Sequence, residues 1–219
     1  MKKNLFITLE GIEGAGKSTV IDFIENFITS SGYDVVKTRE PGGTAIGEQI
    51  REILLNKNND KLTDDTELLL IFAARAQHLS EIILPNLTSN KIVLCDRFID
   101  ASYAYQGAGR GIEQSKINLL ENWVMPDIKP DLTFLLDLDP KIAFERTNKR
   151  SDADRFESED IHFFEKIRQY YLERAENEPE RFRVINSELS LEDVQGQIKN
   201  ILKAVSYTHL RAHETDSYL

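Results

Sequence analysis

Two hydrophobic periods alternate along this chain. Short apolar runs, rich in β-branched and aromatic residues, have the length of buried strands and cover 5–9, 34–38, 91–95, 132–138 and 182–186. Between them, apolar residues recur every three or four positions, which predicts helices over about 18–31, 44–56, 64–88, 113–124, 140–149, 158–177 and 191–204. Strands that alternate with helices form a parallel sheet with helices on its faces. The pattern therefore predicts an α/β domain built on a five-stranded parallel sheet.

The periodic pattern ends near Val205. Residues 206–219 show no clear apolar period. We predict one domain over residues 1–205, and a tail over 206–219 that is disordered or extraneous to the fold. Two glycine-rich stretches, 41–43 and 107–111, are predicted as loops at the carboxyl ends of the second and third strands, where ligands of open α/β sheets bind.

Composition narrows the class of protein. The chain has 219 residues, 41% of them hydrophobic, and a formal net charge of −10, which argues against a general nucleic-acid binder. Its single cysteine, Cys95, excludes an intrachain disulfide, fits a reducing compartment and is expected to be a packed thiol. The apolar run after Lys2 and Lys3 is too short to span a membrane, so we expect a cytoplasmic protein that contacts neither membrane nor nucleic acid.

The first chemical motif lies between the first strand and the first helix. Gly11, Gly16, Lys17 and Ser18 match the pattern of a phosphate-binding loop. Glycines let the backbone wrap around phosphate oxygens, the following helix presents its positive end, and a lysine and a hydroxyl serve phosphate and Mg²⁺. The predicted contacts of a nucleoside triphosphate are Gly11, Ile12, Glu13, Gly14, Ala15, Gly16, Lys17, Ser18 and Thr19.

Several arginines suggest a second, acceptor site. Arg39, Arg51, Arg75 and Arg97 follow strands or lie beside apolar helix faces. One such arginine alone is most simply a solvated surface charge. Together they suit a phosphomonoester acceptor, which needs bidentate guanidinium groups to hold it in line with the γ-phosphate.

With these motifs the chain resembles thymidylate kinases of the bacterial type. The similarity runs from about residue 3 to 204 and rests on segments 11–18, 38–43, 47–51, 73–75, 96–100, 104–107 and 154–157. It implies a P-loop nucleoside monophosphate kinase fold, Mg²⁺, a homodimer, and transfer of the γ-phosphoryl group of ATP to thymidine monophosphate.

The resemblance also implies residue roles. Arg75 and Gln106 would read the thymine ring, Arg51 and Arg97 would clamp the acceptor phosphate, and Glu13 would bond the sugar or position the acceptor. The other expected contacts around the acceptor are Glu40, Pro41, Ser102 and Tyr105, and Asp96 would assist Mg²⁺ directly or through water. The family has a phenylalanine four residues before the arginine. Here Ile71 occupies that position and Phe72 follows it, and either could pack on the base.

A charged segment, residues 146–157, is interpreted as a mobile lid that supplies a catalytic arginine. Phosphoryl transfer spreads negative charge over the equatorial oxygens, which an arginine delivered on closure stabilises. Arg150 and Arg155 are the candidates, the latter preferred. The alternative is a solvated connection between two helices.

Two other functions stay open at this point. One is a kinase for another nucleoside monophosphate or for deoxynucleosides. The other is a nucleotide-dependent switch or motor, which would lack an arginine-lined second pocket.

Overall fold

The computed structural model of the protein describes residues 4–59, 61–147, 155–156 and 159–215. Its sheet consists of β1 (Phe6–Glu10), β2 (Val35–Arg39), β3 (Ile92–Asp96), β4 (Leu132–Asp137) and β5 (Phe182–Asn186). The strand order is β2-β3-β1-β4-β5 and neighbouring strands are parallel. The predicted five-stranded parallel sheet is confirmed, and the strands begin and end within one residue of the predicted positions.

The helices lie between and after these strands. They are α1 (Lys17–Ser30), α2 (Ala45–Leu55), α3 (Asp64–His78), α4 (Leu84–Thr88), α5 (Ile99–Ser102), α6 (Gln114–Val124), α7 (Pro140–Thr147), α8 (Ile161–Asn177) and α9 (Leu191–Thr215). Side-chain caps fix several starts: Thr44 accepts the Gly47 N–H and Asp160 accepts the Phe163 N–H, each at 2.9 Å.

Two π-helical segments change the predicted picture. Leu79–Ile83 joins α3 to α4 within the helix predicted over 64–88. Tyr103–Gly109 continues α5, so the prediction of a loop at 107–111 was wrong for its first three residues. π segments often lie at functional sites, because they rotate side chains relative to an α-helix. Helix α9 runs to Thr215, past the end predicted near residue 204, while the domain boundary at 205 stays a prediction.

The core lies on both faces of the sheet. Successive strand residues point to opposite faces, so Ile7 packs in one cluster with Ile24 of α1 and Ile198 of α9. Phe6, next to it, packs in a second cluster with Phe72 of α3. Burial on both faces explains why the inner strands β1, β3 and β4 read as continuous apolar runs, whereas the edge strands β2 and β5 are partly exposed.

The stretch Asp64–Thr88 is long and apolar enough to cross a membrane by length and composition alone. In the fold it covers one face of the sheet, where Leu68, Phe72 and Ile83 are buried against Phe6 and Phe98. It also brings two buried polar side chains, Arg75 and His78, to the carboxyl edge of the sheet.

Candidate active site

The loop between β1 and α1 has the backbone of a phosphate cradle. Gly11, Gly14 and Gly16 have positive φ angles of 138°, 78° and 90°. A Cβ atom on Gly11 would lie 2.6 Å from the carbonyl oxygen of Leu136, so the loop fits against β4 only with glycine there. No described side chain caps the start of α1 at Gly16, which leaves its first N–H groups available to an anion.

Lys17 lies folded over this loop. Its Nζ donates to the carbonyl oxygens of Gly11 and Ile12, both at 2.9 Å. Burial, together with the charge of Arg97, lowers the pKa of Lys17 to about 8. Ile12 and Ala15 have their side chains in the core, so only their backbone groups can serve a nucleotide.

The predicted acceptor residues surround one cleft of about 560 Å³. It is lined by Glu13, Glu40, Pro41, Arg51, Leu55, Ile71, Arg75, Arg97, Phe98, Ala101, Ser102, Tyr105, Gln106 and Phe156. Nine of the ten predicted substrate contacts are therefore brought together, and Phe72 is the exception. Phe98 and Phe156 line the cleft without having been predicted.

Phe72 was wrong as a contact of the base. Its ring is 2% exposed and packs in the core, 4.7 Å from the Arg75 guanidinium carbon. Ile71, the neighbouring residue on α3, lines the cleft instead. The rotation of α3 thus decides between the two positions.

Arg75 and Gln106 are buried polar side chains in the cleft wall. Arg75 donates from Nε to Glu40 at 2.7 Å and from Nη2 to the Phe98 carbonyl at 3.1 Å, and its Nη1 has no hydrogen-bond partner among the described residues. Gln106 donates from Nε2 to Glu67 at 2.8 Å. Arg75 therefore keeps a spare donor at the cleft.

A three-membered network joins the loop to the cleft. Arg97 Nη2 donates to Glu13 at 2.6 Å and to the Tyr105 hydroxyl at 2.9 Å, and Tyr105 donates to Glu13 at 2.7 Å. Although burial opposes it, the positive charges of Arg97 and Lys17 lower the pKa of Glu13. Arg97 has φ of 66°, in the left-handed region that a bulky residue rarely adopts, and strained residues of this kind cluster at active sites.

Arg51 is another cation that lines the cleft. It projects from α2 and donates from Nη1 to the Pro41 carbonyl at 2.9 Å. Ser102 lines the cleft with a buried hydroxyl that has no partner among the described side chains and backbone groups. Of the two predicted phosphate clamps, Arg97 therefore contacts Glu13 directly, and Arg51 lines the same cleft.

Ser18 and Asp96 line a second, more open cleft on the other side of the loop, together with Thr38 and Glu48. Asp96 Oδ1 is buried and has no hydrogen-bond partner in the described part of the chain. An unpaired carboxylate oxygen near a serine hydroxyl suits a hard cation such as Mg²⁺. No described cluster of three or more acidic, histidine or cysteine residues could hold a metal by itself, so such an ion would depend on phosphate oxygens and water.

The lid prediction is only partly within the described residues. Arg150 lies outside them. Arg155 donates from Nε to the Leu54 carbonyl at 2.9 Å and forms an ion pair with Glu67, the partner of Gln106. The structure thus places Arg155 beside Glu67 and gives no support to its assignment as the arginine of the γ-phosphoryl group.

Another arginine of that segment does reach the phosphate loop. Arg146, in the last turn of α7, donates to the Gly14 carbonyl at 3.5 Å and to the Ser187 carbonyl at 3.2 Å. The sequence carried a signal for it, since Arg146 is the first residue of the charged segment 146–157 that was interpreted as a lid.

Cys95 is confirmed as a packed thiol. It is fully buried in β3 and its Sγ lies 3.0 Å from the Arg97 carbonyl oxygen. Burial raises the pKa of this thiol well above its usual range, which makes it a poor nucleophile.

A glycine-rich phosphate loop that faces an arginine-lined acceptor cleft, on a sheet of this order, defines a P-loop nucleoside monophosphate kinase. The model of the family described as "Thymidylate kinase" matches residues 9–198. The chain belongs to the thymidylate kinase family.

Individual relatives agree with this assignment. A thymidylate kinase of Pseudomonas putida is 50% identical over 201 residues, which are 92% of this chain and 96% of the relative. One from Teredinibacter turnerae is 50% identical over 199 residues, 91% and 97% of the two chains. The crystal structure of thymidylate kinase from Ehrlichia chaffeensis is similar with a TM-score of 0.71 at 34% identity, covering 91% of this chain and 98% of that one.

Proposed function

We propose that this protein transfers the γ-phosphoryl group of ATP to thymidine monophosphate, giving thymidine diphosphate and ADP, in the synthesis of thymidine triphosphate. The observation that carries the proposal is the Arg97 network, which connects Glu13 of the phosphate loop to Tyr105 in the acceptor cleft. Donor and acceptor would meet at this point. The comparisons give no support to a kinase for another nucleoside monophosphate.

Positioning and charge would carry the catalysis. The loop backbone and Lys17 hold the donor phosphates, for which Lys17 exchanges its two carbonyl partners. Arg51 and Arg97 hold the acceptor phosphate, with Glu13 keeping Arg97 in place. Fixing both phosphates in line converts a bimolecular reaction into an effectively intramolecular one, and no side chain becomes covalently modified.

The base end of the cleft suits thymine. Arginine carries only donors, so the spare Nη1 of Arg75 would bind a ring carbonyl. The Gln106 amide both donates and accepts, as the ring edge with its carbonyl and N–H requires. Ile71, rather than Phe72, would pack against the ring.

Ser18 and Asp96 would hold Mg²⁺ with the donor phosphates, directly or through water. When bound, the ion supplies charge neutralisation to the phosphate oxygens.

A homodimer and a cytoplasmic location complete the proposal. Apolar side chains stand exposed on the neighbouring helices α3 and α6, namely Leu69 at 56%, Leu119 at 70% and Trp123 at 79% exposure. A patch of this kind marks an interaction surface, and a second copy of this chain is the proposed partner. The single buried thiol fits a reducing compartment.

The activity is tested by measuring ADP release with purified protein, ATP, Mg²⁺ and each nucleoside monophosphate in turn. We expect thymidine monophosphate to give the largest kcat/KM. A preference for a purine monophosphate would overturn the assignment of the cleft.

Sedimentation analysis tests the dimer. Leu119→Glu should give monomers, whereas Leu189→Glu, at an exposed apolar residue outside α3 and α6, should not. A monomeric unmodified protein would refute the proposed interface.

A further inference from the structure

A chain of hydrogen bonds runs behind the acceptor cleft. Thr38 Oγ1 lies 2.6 Å from His78 Nε2, His78 Nδ1 lies 2.9 Å from Glu40 Oε1, and Glu40 Oε2 accepts from Arg75 Nε at 2.7 Å. His78, Glu40 and Arg75 are at most 4% exposed. The chain therefore connects β2 to the spare donor of Arg75 through groups that water scarcely reaches.

The direction of each bond follows from the donors present. A carboxylate paired with an arginine only accepts, so the hydrogen on the imidazole lies on Nδ1 and is donated to Glu40. Nε2 then accepts from the Thr38 hydroxyl. Each oxygen of Glu40 is thus occupied by one partner, His78 on one side and Arg75 on the other.

The backbone leaves room for this arrangement at Gly43. A Cβ atom there would lie 2.6 Å from Thr38 Oγ1 and 2.7 Å from His78 Nε2, and Gly43 has φ of 80°. A larger residue would break the bond between Thr38 and His78. Glycine is therefore required at position 43 for two reasons: the hydrogen bond between Thr38 and His78 leaves no room for a Cβ atom, and the backbone has a positive φ.

We propose that His78 is a positioning residue for base recognition, which holds Glu40 so that Arg75 keeps one guanidinium nitrogen free for the acceptor. Without His78, Oε1 of Glu40 loses its partner, so the carboxylate is free to turn and to draw Arg75, which it holds at Nε, out of the position that leaves Nη1 free for a ring carbonyl. The proposal rests on the proposed role of Arg75 in reading the base. It extends the specificity site to a residue that does not line the cleft.

The test is steady-state kinetics of His78→Leu and His78→Asn. Leucine removes both bonds, whereas an asparagine amide can replace the Nδ1–H donor to Glu40. We expect His78→Leu to raise the KM for thymidine monophosphate about tenfold, the usual effect of losing a bond to a charged group, with the KM for ATP unchanged. His78→Asn should restore most of the loss.

Selectivity gives a second readout. Deoxycytidine monophosphate has an amino group where thymine has a carbonyl, so the ratio of kcat/KM for the two acceptors should fall in His78→Leu. His162→Leu, at an exposed histidine of α8, is the matched control and should change neither value. An unchanged ratio and KM in folded His78→Leu would overturn the proposal. If that variant does not fold, Thr38→Val, which removes only the outer bond, should lower the ratio by a smaller factor, and no change there would overturn it equally.

A double-mutant cycle separates this proposal from the role of Arg75. If His78 acts through Arg75, His78→Leu has no further effect on the KM for thymidine monophosphate in an Arg75→Ala background. Additive effects would show that His78 acts by another route. An unchanged KM in Arg75→Ala alone would refute the reading of the base by Arg75 while leaving the phosphate assignments intact.

Discussion

The phosphate loop and the acceptor cleft meet at Glu13, but they are constructed in opposite ways. The loop is one continuous stretch whose shape depends on glycines with positive φ and on the start of α1. The cleft takes side chains from the residues that follow β2 and β3, from α2, α3 and α5, and from the π-helical segment Tyr103–Gly109. Backbone groups recognise a phosphate, which every nucleotide carries, whereas buried side chains can distinguish one base from another.

The largest effect is expected from removing the one cation that lies within the loop. Lys17→Ala should lower kcat by on the order of a thousandfold, since Lys17 serves charge that develops on the phosphates. The fold should remain, because the hydrogen bonds of the lysine among the described residues go to two loop carbonyls and not to the core. Thermal unfolding tests whether the fold remains, and ADP release measures the loss of kcat. Near-normal turnover in a folded variant would refute the role of the loop.

Arg97→Ala tests the junction of the two regions. Losing a charge-assisted pair costs about 1.5–3 kcal/mol, so kcat/KM for thymidine monophosphate should fall at least about tenfold. We expect both a higher acceptor KM and a lower kcat, because the phosphate is held less tightly and in the wrong place. Unchanged acceptor kinetics would make Arg97 a structural partner of Glu13 only.

Gln106→Ala should affect the cleft and spare the loop. Without Gln106 the edge of the thymine ring loses its proposed hydrogen-bond partner. Discrimination between thymidine monophosphate and other acceptors should therefore fall about tenfold. The KM for ATP should stay constant. A parallel change in the KM for ATP would mean that the acceptor cleft and the phosphate loop do not bind their nucleotides independently.

Two arginines from the lid segment, Arg146 and Arg155, offer a further test of the difference between the phosphate loop and the acceptor cleft. Arg155→Ala should raise the KM for thymidine monophosphate a few-fold, because Arg155 holds Glu67, the partner of Gln106. Arg146→Ala should instead raise the KM for ATP, since Arg146 lies against Gly14. A selective loss of kcat in Arg155→Ala would favour its original assignment to the γ-phosphoryl group, which requires a closed form of the lid.

A last effect, on stability rather than on kinetics, concerns Glu10, the last residue of β1, which accepts from Tyr171 at 2.7 Å and from the Phe98 N–H at 2.8 Å. Burial, helped by the charge of Asp100, raises the pKa of Glu10 to about 7 from 4.5. The folded state therefore binds this proton more tightly than the unfolded chain. The resulting stabilisation is complete below pH 4.5 and is lost as the pH rises toward 7.

Denaturant unfolding at several pH values tests this. Glu10→Gln, which cannot ionise, should flatten the loss of stability over that interval. An equally steep pH dependence in the variant would assign the effect to other groups.

The sheet and the loop were predictable because their signals are local. Buried parallel strands read as apolar runs, and the phosphate loop depends on consecutive residues. The segment Tyr103–Gly109 was less accessible, because its glycines suggest a loop. There, Gly109 admits the Phe163 ring, which lies 2.5 Å from where a Cβ would stand. Only the packing of α8, far along the chain, shows why a helix can continue there.

Two other residues of the candidate site depend on packing that a local pattern does not show. Ile71 and Phe72 are adjacent on α3, and only the packing of that helix on the sheet determines which one faces the cleft. Arg155 pairs with Glu67, 88 residues away along the chain, so a local reading of its charged segment could not assign it. By contrast, Arg75, Arg97 and Gln106, which belong to the family motifs quoted above, all line one cleft, and their roles there stay predictions.

The exposed Trp123 has a practical consequence. It is the only tryptophan of the chain, and it lies on α6 rather than at the nucleotide clefts. Intrinsic tryptophan fluorescence of this protein therefore reports on one helix surface and on little else. Its emission should shift to shorter wavelength when that surface becomes covered, and titration with either nucleotide should leave the emission nearly unchanged. A single optical signal would thus follow assembly independently of catalysis, without any added label.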